Sequence, residues 1–208
     1  MGLLEVRGIE NAGPSAALDT RKRAIEAEAR ARYAGYARAD FLALPVMAAY
    51  DRYYTRFNKT YHVQLQLESI VLKGKSLPSV SPAVDANFMA EIETLVLTAG
   101  HDVAKLVAPV GIDTSGAGER MTQMKGEPKE IRAGDMIMRD ADGISCSIIY
   151  GQDARSPIAP STTHALYVAY APAGVPAESV AAQLEKIAAY VRLASPGAEV
   201  VQQRVLVA

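Results

Sequence analysis

Cysteine, tryptophan and long apolar runs are what this 208-residue chain has least of. A single Cys, Cys146, excludes an intramolecular disulfide framework and any multi-cysteine zinc site. No run approaches the roughly 18 apolar residues a membrane helix needs, so no membrane partner is expected. The start, Met1-Gly2-Leu3-Leu4-Glu5-Val6, carries no apolar signal-peptide core and no Ser or Thr at position six for myristoylation. A cytoplasmic chain is the expectation. Familiar catalytic signatures are missing too: there is no Gly-x-Ser-x-Gly, no Walker A loop and no His-Glu-x-x-His. Gly116-Ala117-Gly118-Glu119 does not continue into a dinucleotide fingerprint. A net charge of −1 argues against wholesale coating of nucleic acid, and DNA is not expected as a partner.

What is present is enough for a core. Half of the residues are hydrophobic and 22 % are charged, which excludes global disorder. Leu3 to Gly8 reads as a first strand, and Asn11-Ala12-Gly13-Pro14 as a turn. Ser15 to Ala39 has helical composition, with Glu26/Arg30 and Glu28/Arg32 at i,i+4 spacing. Asp40 is placed to cap a second helix from Phe41 to about Arg56. Leu65, Leu67, Ile70, Val71 and Leu72 suit a helix ending at Lys73-Gly74. Ser81-Pro82 opens another, carrying Val84, Phe88, Ile92, Leu95 and Val96. From Val103 the texture turns to short apolar runs, read as strands at 107–112, 120–124, 136–139, 144–150 and 165–171. Asp140-Ala141-Asp142-Gly143 marks a hairpin between two of them. Pro176 opens a helix through Leu193, and Glu199 to Val207 is a final strand. The sum is one α+β domain over 1–208: a mixed β-sheet core, helices at the front (14–100), a strand-rich part (103–208) and one long C-terminal helix.

Candidate chemistry is dispersed. His62, His101 and His164 lie far apart, so no metal site and no cofactor are expected from them. His101-Asp102 reads either as a proton-transfer pair or as a helix cap at Asp102. Cys146, within a strand-like run, reads as a small buried hydrophobe. Residues 21–59 hold nine basic side chains against four acidic ones, a local excess of five. They include Arg21, Lys22, Arg23, Arg52, Arg56 and Lys59, and six of the ten Tyr lie in or beside the segment. Such a segment can bind phosphates and stack on bases, or it can be a solvated helix face with its Tyr rings packed inward. Gln152, Asp153, Arg155 and Ser156 form a polar loop between apolar strands, either a pocket lip or a surface turn.

The order of several short motifs is more specific than any one of them. Leu77-Pro78-Ser79-Val80-Ser81-Pro82-Ala83-Val84-Asp85-Ala86-Asn87 resembles a family run Leu-Pro-x-Ile-Asn-x-x-Val-Asp-x-x-Asn. Leu72-Lys73-Gly74 precedes it; Asp102-Val103-Ala104-Lys105-Leu106 and Gly118-Glu119-Arg120-Met121 follow. Gly134 to Asp140 is similar to Gly-Glu-Val-Val-Tyr-x-Asp. Gln152-x-x-Arg155-Ser156 with Thr162 is similar to Gln-x-x-Arg-Thr and a later Thr. Together, from about 57 to 172, they resemble the B3/B4 domain of the phenylalanyl-tRNA synthetase beta chain in its free-standing form.

That resemblance implies a tRNA or aminoacyl-tRNA partner and a mischarged aminoacyl ester hydrolysed in trans, with no aminoacylation by this chain. It implies Asn87, His101 and Asp153 as catalytic candidates, and Glu119, Gln152, Arg155 and Ser156 as substrate-binding ones. Arg21, Lys22, Arg23, Arg52, Arg56 and Lys59 are the RNA-facing candidates. Where the synthetase carries Pro-Leu-His-Ala-Phe-Asp, this chain has Thr98-Ala99-Gly100-His101-Asp102, so its histidine is displaced. Two alternatives stand beside this reading: an amino-acid-binding protein without RNA, and a non-catalytic partner-binding module.

Overall fold

The computed structural model describes residues 1–206. The elements run β1 (Gly2–Arg7), α1 (Ala16–Arg32), α2 (Arg38–Leu42), α3 (Pro45–Thr55), α4 (His62–Val71), α5 (Pro82–Thr94) and β2 (Thr98–Asp102). Next come β3 (Gly111–Thr114), β4 (Arg120–Thr122), β5 (Pro128–Glu130), β6 (Met136–Asp140), β7 (Gly143–Ser147) and β8 (Gly151–Gln152). Then follow β9 (His164–Ala169), α6 (Ala177–Ala194) and β10 (Glu199–Val205). The class is α+β, with helices in front and one long helix near the C-terminus. A four-stranded sheet has the order β10-β1-β9-β2, a second the order β3-β6-β7-β8, and β4-β5 form a ribbon. The strands, expected as a mixed sheet, pair antiparallel in every case among the described residues. No helix among the described residues is long and apolar enough to cross a membrane.

Local chemistry explains where elements stop. Ser15 accepts the Leu18 N–H and starts α1. The helix expected to reach Ala39 ends at Arg32, because Gly35 follows with φ +81, the left-handed conformation that terminates helices. Asp40 does not cap a helix to Arg56. It sits inside α2, its carboxylate accepting the Ala37 N–H at 2.7 Å, and Pro45 starts α3 separately. The Glu26/Arg30 pair forms at 3.8 Å, but Glu28 turns to Arg21 rather than Arg32. The helix over 62–71 and the hairpin at 140–143 stand as expected. The 107–112 strand begins only at Gly111, since the Val107 N–H is taken by the Asp140 carboxylate. The last strand runs to Val205, and its expected end at residue 207 lies outside the described residues.

β2 was not foreseen. The run Thr98-Ala99-Gly100-His101-Asp102 lacks alternation, but it pairs with β9 from Thr98↔Ala169 to Asp102↔Ala165. Gly100 permits the pairing to pack tightly: a Cβ there would stand 2.6 Å from Ile158 and 3.1 Å from the Tyr167 ring. Asp102 does cap, accepting the Ala104 N–H of a short 3-10 turn.

Two buried ionisable side chains fix the helices against this sheet. Lys22 on α1 has no solvent exposure. Its ammonium donates to Asp85 Oδ2 at 2.6 Å, to Ser79 Oγ at 2.9 Å and to the Pro78 carbonyl at 3.2 Å. Asp85 lies in the first turn of α5, where a negative charge is favoured, and also accepts the Val80 N–H. The second is Glu91, farther along α5. Its Oε1 accepts the Thr98 N–H at 2.9 Å and the Asn87 amide at 3.4 Å. Asn87 donates to the Thr98 carbonyl, and Gln183 on α6 reaches Thr98 Oγ1. The start of β2 is thereby held to α5 and α6. Burial raises the Glu91 carboxyl to about 8, against the opposing effect of the bonds from Thr98 and Asn87.

Lys22→Met leaves Asp85 as an unpaired buried carboxylate and is expected to cost about 3–5 kcal/mol. Adding Asp85→Asn should recover part of that loss. Urea denaturation measures both; a loss below about 1 kcal/mol would remove Lys22 from this role. Glu91 gives a pH test. Below its ordinary pKa of 4.5 the carboxyl is neutral folded or unfolded. Between there and about 8 the folded state keeps a proton that the unfolded state releases, so stability falls as pH rises. Glu91→Gln retains the acceptor oxygen and removes the charge. Its melting temperature should gain on the parent from about pH 5 to about pH 8; parallel profiles would contradict the shift.

Candidate functional site

A cleft of about 350 Å³ opens between α5, β2, the β7–β8 corner and the end of β9. Its walls are largely apolar: Val84 and Phe88 from α5, Leu97 and Ala99 at the sheet edge, Ile158 and Tyr167 opposite. Exposed His62, Val80 and Met124 also line it. The polar groups on the lining are few: Asn87, Thr98, Ser147, Gln152, His62 and the hydroxyls of Tyr167 and Tyr170. Among the described residues no Asp or Glu lines it. An apolar hollow with a few convergent polar groups is the usual form of a small-molecule site.

The expected site residues divide into three groups. Asn87 and Gln152 line the cleft. Asn87 is already engaged by Thr98 and Glu91, so its amide braces the wall. Gln152 Nε2 donates to the Gly100 carbonyl at 2.7 Å and lies 3.0 Å from His101 Nδ1.

His101, Ser156 and Asp153 stand behind Gln152 as a buried chain. Ser156 Oγ donates to Asp153 Oδ1 at 2.6 Å and lies 2.8 Å from His101 Nδ1. The one hydroxyl proton of Ser156 is committed to Asp153, which assigns the Nδ1 proton to His101 and leaves Nε2 as a bare lone pair. That Nε2 is buried without a partner among the described residues. Burial lowers the His101 pKa to about 4, so the ring is neutral at pH 7.

Arg155 and Glu119 are elsewhere. Arg155 grips Asp140 through two bonds of 2.6 and 2.9 Å and reaches Asp153 at 3.3 Å, over a polar basin with Arg120 and Asp142. Glu119 holds Arg139 and the Gly116 N–H. Their expected place in one cleft with Asn87 is therefore corrected: each is consumed by a partner that fixes the strand-rich part. Thr162 likewise serves the fold, donating to Asp102 at 2.7 Å.

The basic segment is also redistributed. Lys22 is inaccessible to any phosphate. Arg21 pairs with Glu28 at 2.6 Å and Glu93 at 3.2 Å, and Arg23 pairs with Glu26 at 2.8 Å. Arg52, Arg56 and Lys59 are exposed and have no ion pair among the described residues. Tyr33, Tyr50, Tyr53, Tyr54 and Tyr61 are buried, so their rings are core and not a stacking platform. Tyr50 and Tyr61 stack on each other at 4.0 Å.

Several cleft residues had no signal in the sequence. Phe88 was read as helix core, and Tyr167 and Tyr170 as part of an apolar strand. The Tyr170 hydroxyl is buried with no partner among the described residues. Cys146 lines the cleft but is 3 % exposed, and burial pushes its thiol up to about 12, so it behaves as the hydrophobe expected. Burial, and secondarily Lys59, lowers the His62 pKa.

A family model described as the B3/4 domain matches residues 47–191. No curated protein sequence matches the chain. Among solved structures it is similar to an N-terminal fragment of the phenylalanyl-tRNA synthetase beta-subunit from Pyrococcus horikoshii, at 11 % identity and a TM-score of 0.48. That alignment covers 59 % of this chain and 43 % of the fragment, so the chain spans less than half of the fragment's length. The family match extends over well more than half of the residues and takes in α3 to α6, the cleft and the buried chain behind it: the chain belongs to the B3/4 domain family.

Proposed function

We propose that this domain binds aminoacylated tRNA, takes the amino-acid side chain into the cleft and hydrolyses a mischarged ester in trans. The observation that carries the reading is an apolar cleft, edged by the Gln152 amide, within a B3/4 fold. The walls of Phe88, Ile158 and Tyr167 suit an apolar or aromatic side chain. The ester would then lie at the polar edge near Gln152 and Thr98.

In the reaction, water adds to the ester carbonyl, the carbonyl–ribose oxygen bond breaks, and the ribose oxygen leaves with a proton. The cleft lining carries no carboxylate among the described residues, so the proton-accepting group is the imidazole of His62, whose pKa is lowered, or the substrate's own α-amine. The protein's part is to hold the ester and exclude bulk water. Ser156 acts through Gln152 as a positioning residue, since its carbonyl accepts from the same amide that grips the Gly100 carbonyl, and Asp153 and His101 hold Ser156 in place. Arg52, Arg56 and Lys59 supply the exposed cations for the RNA backbone.

A second reading is favoured by one observation: most of the basic front segment is spent on internal ion pairs and its Tyr rings are core. An amino-acid-binding protein without RNA would look like this. Deacylation of a panel of mischarged tRNAs, with a gel-shift measurement beside it, separates the two. The first reading expects cleavage of at least one substrate, lowered at least tenfold, about 1.4 kcal/mol, by Gln152→Ala. It also expects that replacing Arg52, Arg56 and Lys59 together by Gln reduces the salt dependence of tRNA binding by a slope of about 2. Neither cleavage nor a gel shift, with a melting-temperature gain from free amino acids that Gln152→Ala abolishes, would establish the second reading instead.

A further inference from the structure

Two adjoining hollows of about 310 and 380 Å³ lie where α1, the end of α5 and α6 meet. They share Arg32, Tyr33, Glu93 and Lys186, and have no lining residue in common with the cleft. Two of the four are spoken for. Glu93 Oε1 accepts from Arg21 at 3.2 Å and from Lys186 at 2.9 Å, and its Oε2 accepts the Tyr190 hydroxyl.

The others are not. The Arg32 guanidinium stands over the Tyr33 ring at 5.2 Å and has no ion pair or hydrogen bond among the described residues. The Tyr33 side chain is 3 % exposed, and its hydroxyl is buried with no partner. An orphan hydroxyl of this kind costs free energy until something bonds to it. Glu178, in the first turn of α6, also lines the larger hollow; it is exposed and likewise without an ion pair among the described residues. A free cation and a free anion therefore face one hollow without pairing to each other. Leu44, Pro45, Val46 and Leu95 give the same hollow an apolar wall.

We propose that this groove is a second binding site, for a free apolar α-amino acid. The carboxylate is held by the Arg32 fork and the Tyr33 hydroxyl, the ammonium by Glu178, and the side chain by Leu44, Val46 and Leu95. A planar guanidinium with all its donors free is matched to a carboxylate. A ligand of one sign alone would leave the opposite charge of the groove unmatched. The site thus distinguishes a free amino acid, with its ionised carboxylate, from an aminoacyl ester, which has none. It could report on the product of ester hydrolysis while the cleft handles the substrate.

Isothermal titration of the full chain tests this, using a panel of free L-amino acids, their methyl esters, hexanoate and butylamine. At least one apolar free amino acid should bind, and its methyl ester, hexanoate and butylamine should bind at least about tenfold more weakly. Arg32→Gln and Glu178→Gln, both at exposed positions that leave the fold intact, should each weaken binding by about tenfold or more, and Tyr33→Phe should weaken it less. Gln152→Ala in the cleft should leave it unchanged. The proposal is overturned by no binding up to about 10 mM, by affinity that survives both charge variants, or by affinity lost in Gln152→Ala. None of these outcomes decides the deacylation assay, which reads the cleft.

Discussion

One buried carboxylate holds the wall on which the cleft depends. Glu91 accepts the Thr98 N–H and, with Asn87 on the Thr98 carbonyl, ties the start of β2 to α5. β2 in turn carries the Gly100 carbonyl that Gln152 grips, and His101, which meets Ser156. The same carboxylate bonds Asn87, so the family's asparagine acts here as a brace at the cleft wall. Its raised pKa shows the cost of putting an acid there. A neutral acceptor would satisfy the same N–H, so the charge is tolerated by protonation and not by pairing.

The cationic front of the molecule illustrates how folding alters a charge count. In the linear sequence Arg21, Lys22 and Arg23 read as one basic cluster. On α1, consecutive residues point about 100° apart, so the three face different neighbours. Lys22 turns fully inward to Asp85, Arg21 sideways to Glu28 and Glu93, and only Arg23 keeps much contact with water. Of the cations that remain free, Arg32 ends α1, and Arg52, Arg56 and Lys59 sit on and after α3. Glu26 and Glu28, which pair with Arg23 and Arg21, are local, but Asp85 and Glu93 are more than 60 residues distant along the chain, where no local count could register them.

Legibility followed periodicity. α6, α5 and the Asp140–Gly143 hairpin carry their own start and stop signals, and they formed where the signals lay. The break between α1 and α2 was marked by Gly35, but a helical composition on both sides obscured it. β2 was opaque because its reason to be a strand is tertiary: the partner β9, the Glu91 acceptor and the tight fit of Gly100 against Tyr167. The motif order located the family, and it placed Asn87 and Gln152 on the cleft. It did not separate residues that touch a ligand from those that fix the fold, because Arg155, Glu119 and Asp85 belong to the same motifs and are spent on ion pairs. The cleft's aromatic walls were invisible for the converse reason. Tyr167 and Tyr170 lie in one continuous apolar run, which reads the same whether or not a hollow lies beside it.

The chain Asp153–Ser156–His101 has the residue types of a nucleophilic triad but not its order. In such a triad the base lies between the nucleophile and the acid; here the hydroxyl lies between the acid and the imidazole. The serine proton is committed to a carboxylate, so its oxygen accepts from the imidazole and has no base poised to strip it. The imidazole is neutral and fully buried. Every member is thus held in its least reactive form, and what the chain delivers to the cleft is orientation, through one amide. The displaced histidine of this sequence is thus a member of the frame behind the cleft and does not line the cleft itself.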